Sequence, residues 1–138
     1  MGSFGDTFEA KVLDLLFGQT AIAAIGTTYV ALYTATPTDA NASGTEVSGG
    51  SYARVAVTNN TTNWPASTGT NPTTKANGTA ITFPAPTAAW GTVVAFAIYD
   101  AVTAGNEIAW GALTTSKTIN NGDAAPSFAI GALTITLD

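Results

Sequence analysis

The 138-residue chain contains no histidine and no cysteine, and its four basic and nine acidic residues give a net charge of −5. The missing residue types exclude histidine-based proton transfer and thiolate chemistry, so any catalysis would depend on carboxylates, lysine, tyrosine or hydroxyl groups. Nucleic-acid binding needs clustered Lys and Arg, which this chain lacks, and no apolar stretch reaches the roughly twenty residues of a membrane span. The composition therefore favours a structural or binding role.

Residues 4–17 carry the one clear helical pattern of the chain. Apolar side chains recur there at helical spacing, opposite acidic and basic residues. This apolar stripe consists of Phe4, Phe8, Val12, Leu15 and Leu16. Ser3 suits the N-cap and Gly18 the C-terminal stop. We expect residues 1–20 to form an amphipathic N-terminal helical arm that buries its stripe on its own sheet or on a neighbouring subunit.

The pattern changes to β-strands after this arm. Short strands are predicted at 27–34, 51–58, 79–83, 93–99, 107–113 and 132–137. Gly105 and Asn106 indicate a hairpin between the fourth and fifth of these segments. About seven short strands separated by turns are typical of a β-sandwich or jelly roll. The predicted fold is one mainly β domain, an antiparallel sandwich over residues 27–138, preceded by the helix.

A long polar loop is expected at 59–78, where Trp64 is the only large hydrophobic side chain. Loops of this length in compact domains are uncommon, and they are usually functional or disordered. A tryptophan in such a loop is more often a clip onto the domain or an anchor at an interface than a platform for a ligand.

Two groups of oxygen-bearing side chains are candidate chemical sites. Asp39, Asn41 and Ser43 match the start of a calcium-binding loop, but Gly50 stands where a bidentate Glu is needed, so a polar turn is favoured over calcium. Asp100 and Glu107 flank one hairpin and would be the only candidate acid–base pair, yet acids at hairpin ends are usually solvated caps. We therefore predict no catalytic residue, metal or cofactor.

Arg54 is the only arginine and lies within a predicted strand. A desolvated guanidinium needs a carboxylate, either across strands or across a subunit boundary. Aromatic residues in strands, such as Trp90, are more often core or interface residues than ligand platforms. The interface candidates are Phe4, Phe8, Val12, Leu15, Arg54, Trp64 and Trp90.

Three segments, taken together, carry a family resemblance. They are YVALYTATPTD at 29–39, GTEVSGGSYAR at 44–54, and the region from residue 81 to the C-terminus, with ITFPAPTAAWGTV, IYDAVTAGNEIAWGALT and GALTITLD. In this order they resemble small structural proteins of tailed phages, often described as tail-fibre-like or head-decoration proteins. The loop at 59–78 and residues 124–130 depart from the family pattern. The resemblance implies a virion component without catalytic residues.

Within a virion, the physical character of the chain favours a capsid decoration (cement) protein. Charged residues make up only 9 %, against about a quarter in ordinary soluble domains, which suits a surface covered by other subunits. The expected partners are the major capsid protein and copies of the chain itself, with a trimer favoured, and neither nucleic acid nor membrane. The alternatives are a tail or tail-fibre-associated protein and, less favoured, a carbohydrate-binding module using Trp64, Trp90 or Trp110.

Overall fold

The structure is a computed structural model that describes residues 4–41 and 43–137. Within these residues one helix is followed by nine strands. The elements are α1 (Asp6–Phe17), β1 (Thr27–Ala35), β2 (Thr45–Glu46), β3 (Val55–Thr58), β4 (Thr73–Ala76), β5 (Ile81–Thr82), β6 (Gly91–Tyr99), β7 (Glu107–Ile119), β8 (Ser127–Phe128) and β9 (Thr134–Leu137). The predicted fold class, mainly β and antiparallel with one N-terminal helix, is confirmed.

The largest sheet is built on three long strands in the order β1-β6-β7, all antiparallel. The short strands β2 and β3 both pair with β1, at opposite ends of its outer edge. The predicted β6–β7 hairpin is present, and Asp100 stabilises its turn by accepting a 2.7 Å hydrogen bond from the Asn106 backbone N–H. Gly105 adopts φ +78° there, a backbone conformation that favours glycine.

The larger hydrophobic cluster lies on one face of this sheet, and a smaller one with Tyr33 and Tyr99 lies on the other. Side chains alternate along a strand, so Val30 and Leu32 of β1 point to the same side as Phe96 and Ile98 of β6. Two ribbons, β4–β9 and β5–β8, contribute residues such as Ile81, Phe128 and Ile135 to the same core. The long strands and the two ribbons thus form a layered β structure around this buried cluster.

Two local features of this core are sensitive to substitution. Gly111 of β7 lies opposite Phe96, and a Cβ atom at Gly111 would stand 2.8 Å from the Phe96 ring. Asn77, which is 2 % exposed, donates to the backbone oxygens of Thr79 and Ala129 and accepts from the Leu133 N–H. The Asn77 amide therefore joins the chain after β4 to the segment before β9.

The N-terminal helix begins later than predicted. Its first residue is Asp6 and its N-cap is Gly5, which is extended at φ −71° and ψ 144°, while the predicted cap Ser3 lies outside the described residues. Phe4 is not helical, because it forms an antiparallel bridge with Ala109 of β7 and the Gly5 N–H donates to the Ile108 oxygen at 3.1 Å. Pairing with the edge of β7 replaces the first helical turn that the sequence pattern indicates.

Several other boundaries also differ from the prediction. The expected loop at 59–78 contains β4, which pairs along its whole length with β9. The segments predicted at 51–58, 79–83 and 132–137 are strands only at β3, β5 and β9, and β7 continues six residues beyond 113. The two-residue strands β2 and β8 were not predicted. These differences concern strands whose pairing depends on distant partners and not on local alternation.

Candidate functional site

Arg54 is held inside the chain by a carboxylate and two carbonyl groups. Its Nε and Nη2 atoms donate to the two carboxylate oxygens of Glu46 at 2.9 and 2.8 Å. Nη1 donates to the backbone oxygens of Ala101 and Ala104, and the guanidinium lies 3.7 Å from the centre of the Tyr99 ring. Burial alone would lower the pKa of Arg54, but hydrogen bonding and the charge of Glu46 raise it. The expected carboxylate partner therefore comes from the same chain.

Three tyrosine hydroxyls extend this polar cluster. The Tyr33 and Tyr99 oxygens lie 2.5 Å apart, and the Tyr52 hydroxyl donates to Glu46 at 3.0 Å while accepting from the Leu32 N–H at 2.9 Å. Burial raises the pKa of all three phenols above its ordinary value. The hydroxyls therefore stay protonated at neutral pH and serve as hydrogen-bonding groups of the fold.

Glu107 is a buried carboxyl group at the start of β7. The residue is 1 % exposed, and burial raises its pKa to about 7. A 3.3 Å hydrogen bond from the Tyr99 hydroxyl to Oε2 opposes this rise, whereas the nearby charge of Asp39 adds to it. Oε1 has no hydrogen-bond partner among the described residues. The expectation that Glu107 is a solvated hairpin cap is wrong, because cross-strand packing encloses it.

Asp100, the other acid of this hairpin, behaves as a cap. Its two carboxylate oxygens accept from the backbone and side-chain nitrogens of Asn106 at 2.7 and 2.9 Å. Because Asp100 bonds the turn and Glu107 bonds Tyr99, the two carboxylates have separate hydrogen-bonding partners. The geometry provides a turn cap and a buried acid.

The oxygens considered for calcium are used by the fold itself. Asp39 accepts from the Trp110 indole at 2.9 Å, and Asn41 accepts from the backbone N–H of Glu107 at 2.7 Å. Ser43 bonds back to the turn that precedes it. Among residues 4–41 and 43–137 no three acidic side chains gather as a metal cluster would require. These residues fasten the loop after β1 to β7.

The tryptophan candidates lie in or near the domain's own interior. Trp64 is 9 % exposed and packs in the core, which matches the clip interpretation for the loop it belongs to. Trp90 is 5 % exposed, donates to the Gly50 oxygen at 2.9 Å and packs edge-on against Tyr52. Trp110 is half-buried. Neither Trp64 nor Trp90 offers an open ring face on which a sugar could stack.

The interface candidates on α1 differ in their exposure to solvent. Phe8 is buried, Val12 is half-buried and Leu15 is exposed, so the predicted stripe is covered only near its start. The last turns of the helix present large apolar side chains to solvent. They are Leu13 at 58 %, Leu15 at 46 %, Leu16 at 67 % and Phe17 at 83 % exposure. All seven proposed interface residues remain predictions as contacts with a partner.

Leu13, Leu16 and Phe17 were not among the interface candidates, although Leu16 belongs to the predicted apolar stripe. The available signal was the segment VLDLLF at 12–17, where every residue except Asp14 is apolar. Such a run surrounds the helix axis, so one sheet can cover only part of it. We name the exposed side chains Leu13, Leu16 and Phe17 the helix knob.

A groove of about 620 Å³ runs beside the same helix. It lies between α1 and the extended segment 20–27, and its apolar walls include Phe8, Ile22, Ile25 and Tyr29. Lys11 also lines it, with Nζ placed 4.2 Å from the centre of the Phe8 ring. We name this space the arm groove. The groove lies beside the same helix as the knob, no knob residue lines it, and Lys11 and Asp100 make its wall partly polar.

These features define a mainly β scaffold whose polar cluster around Arg54 bonds within the chain and whose largest group of exposed apolar side chains lies on the helix. A family model described as podophage GP4 fiber I protein gp80 matches residues 3–136. The chain belongs to that family and is a structural component of a bacteriophage virion, which confirms the resemblance drawn from its sequence. Comparison with curated proteins gives no significant match. No helix within the described residues is long and apolar enough to cross a membrane.

Proposed function

We propose that this chain is a subunit of a podophage fibre and that it acts by binding other virion proteins, not by catalysis. The observation that carries the proposal is the family match, which extends over residues 3–136 of the 138 and therefore includes both the helix and the β domain. The family is described by a fibre protein, so it favours the tail-fibre alternative over capsid decoration.

The geometry supports a role of this kind. Arg54, Glu46 and Tyr99 bond one another inside the domain, which leaves them engaged in holding the scaffold together. The helix knob is the largest group of exposed apolar side chains on one described element. Exposed apolar patches of this type mark sites of protein–protein contact. The proposed partners are copies of the chain, as a trimer, and the virion protein that anchors the fibre.

Labelling of intact particles tests the assignment. Fab fragments raised against the purified chain, coupled to gold, are applied to virions and viewed by negative-stain electron microscopy. We expect gold on the fibres. Fab fragments against the major capsid protein serve as the matched control and should cover the head. Even coverage of the head by the first Fab would overturn the fibre proposal and return the chain to capsid decoration, with the major capsid protein as its partner.

A further inference from the structure

The helix knob is an apolar surface that its own chain leaves uncovered. Leu13, Leu16 and Phe17 are 58 %, 67 % and 83 % exposed, although their fold offers a groove directly beside the helix. None of the three side chains lines that groove. A monomer therefore leaves both the knob and the groove in water, which is unfavourable for each of them.

The arm groove has the size and lining to receive such a knob. Its volume of about 620 Å³ exceeds several times the roughly 150 Å³ that accommodates one benzene ring in a protein interior. Its apolar walls come from Phe8, Ile22, Ile25 and Tyr29. One phenylalanine and two leucines can enter this space and bury their apolar surface against these walls.

The charges around the two surfaces are complementary. Lys11 stands at the groove with its ammonium over Phe8, and it forms no ion pair within the described ranges 4–41 and 43–137. Asp14 stands exposed between the knob residues, one turn before Phe17. The remaining acid of the groove, Asp100, already accepts hydrogen bonds on both oxygens. An entering knob thus brings an exposed carboxylate to a groove whose ammonium contacts the Phe8 ring and forms no ion pair within the described residues.

We propose that the helix knob of one copy of this chain inserts into the arm groove of a second copy, with Asp14 of one facing Lys11 of the other. Knob and groove are different surfaces, so the contact is head-to-tail and each copy offers one of each. Head-to-tail contacts generate rings when the rotation closes. We expect a closed trimer, in which the partner of the proposed fibre subunit is another copy of the same chain.

Measurement of molar mass by size-exclusion chromatography with light scattering tests the contact on the isolated chain. We expect the wild type at about 100 µM to have the mass of a trimer, and Phe17→Asp to have the mass of a monomer. Because Phe17 is 83 % exposed, this substitution should leave the melting temperature of the monomer close to normal. Ile130→Asp is the matched control, since Ile130 is 71 % exposed but distant in sequence from the helix, and it should keep the trimer mass.

A charge exchange provides an independent test of the pairing. Lys11→Glu and Asp14→Lys, each alone, should weaken association at least tenfold, and the double variant should recover most of it. A wild type that is monomeric or dimeric would overturn the head-to-tail contact. So would a Phe17→Asp variant that remains a trimer, or a double variant whose association does not recover. The inference rests on the fibre role only for its biological setting. Failure here would leave the gold-labelling result untouched, so the two proposals fail separately.

Discussion

Ionisation of Glu107 gives the domain a stability that depends on pH. The carboxyl group is 1 % exposed, and burial raises its pKa to about 7 from an ordinary value of 4.5. A carboxyl whose pKa is raised on folding stabilises the native state fully below its unfolded pKa. That contribution disappears as pH rises through the folded pKa. The protein should therefore become less stable between pH 5 and pH 8, and above pH 8 Glu107 should have no further effect.

The size of the change follows from the pKa difference. One pKa unit corresponds to about 1.4 kcal/mol, so the full effect is on the order of 3 kcal/mol, and most of it falls between pH 5 and pH 8. Burial is the structural reason: Oε1 has no donor among the described residues when the proton leaves, and the Tyr99 hydrogen bond to Oε2 offsets the cost only in part. Glu107→Gln keeps the shape of the side chain and removes the ionisation.

Urea unfolding at pH 5 and pH 8 measures this difference. The buried indoles of Trp64 and Trp90 provide the fluorescence signal. We expect the free energy of unfolding of the wild type to fall by roughly 2–3 kcal/mol more than that of Glu107→Gln. Asp6→Asn, which removes an exposed carboxylate, is the control and should follow the wild type. An equal decrease in the free energy of unfolding between pH 5 and pH 8 in the wild type and in Glu107→Gln would refute the reasoning.

Three further substitutions test the packing and the polar cluster. Gly111→Ala should lower the free energy of unfolding by about 1–3 kcal/mol, because its Cβ would meet the Phe96 ring at 2.8 Å; an unchanged urea midpoint would contradict this. Arg54→Lys should lower the free energy of unfolding by about 2–3 kcal/mol in the same assay, because lysine lacks the planar fork that bonds both oxygens of Glu46. A decrease below about 0.5 kcal/mol, the size of a neutral surface change, would count against the cluster. Asn77→Ala should cost on the order of 3 kcal/mol and speed amide hydrogen exchange in the β4–β9 ribbon, because three backbone groups lose their partner; unaltered exchange would show that the ribbon does not depend on this side chain.

The main strands could be predicted because their pattern is local. β1 and β6 are nine-residue segments rich in β-branched and aromatic side chains, and Gly105 with Asn106 indicates the turn of the hairpin. β2 and β8 contain two residues each, too few for a period to be recognised. β4 has the sequence TTKA, whose polar side chains conceal a strand that is defined by pairing with β9. Strand pairing between distant segments accounts for these misses.

The same distinction applies to the candidate site, where some features could be predicted from the sequence and others depend on contacts between distant segments. A carboxylate partner for Arg54 followed from the cost of burying a lone guanidinium, although the sequence did not single out Glu46. The burial of Glu107 arises from Tyr99 across the hairpin and from the loop at Asn41, so no local pattern contains it. The exposure of Phe17 depends on where the sheet beneath the helix ends, which is a property of the whole fold.

Phe4 and Gly5 cover the outer margin of β7 at its beginning, through the bridge to Ala109 and the hydrogen bond to Ile108. An exposed edge strand can pair with strands of other chains, and proteins prevent such pairing by covering the edge. Phe4 and Gly5 therefore leave the start of this edge of β7 unavailable for pairing with a strand of another chain.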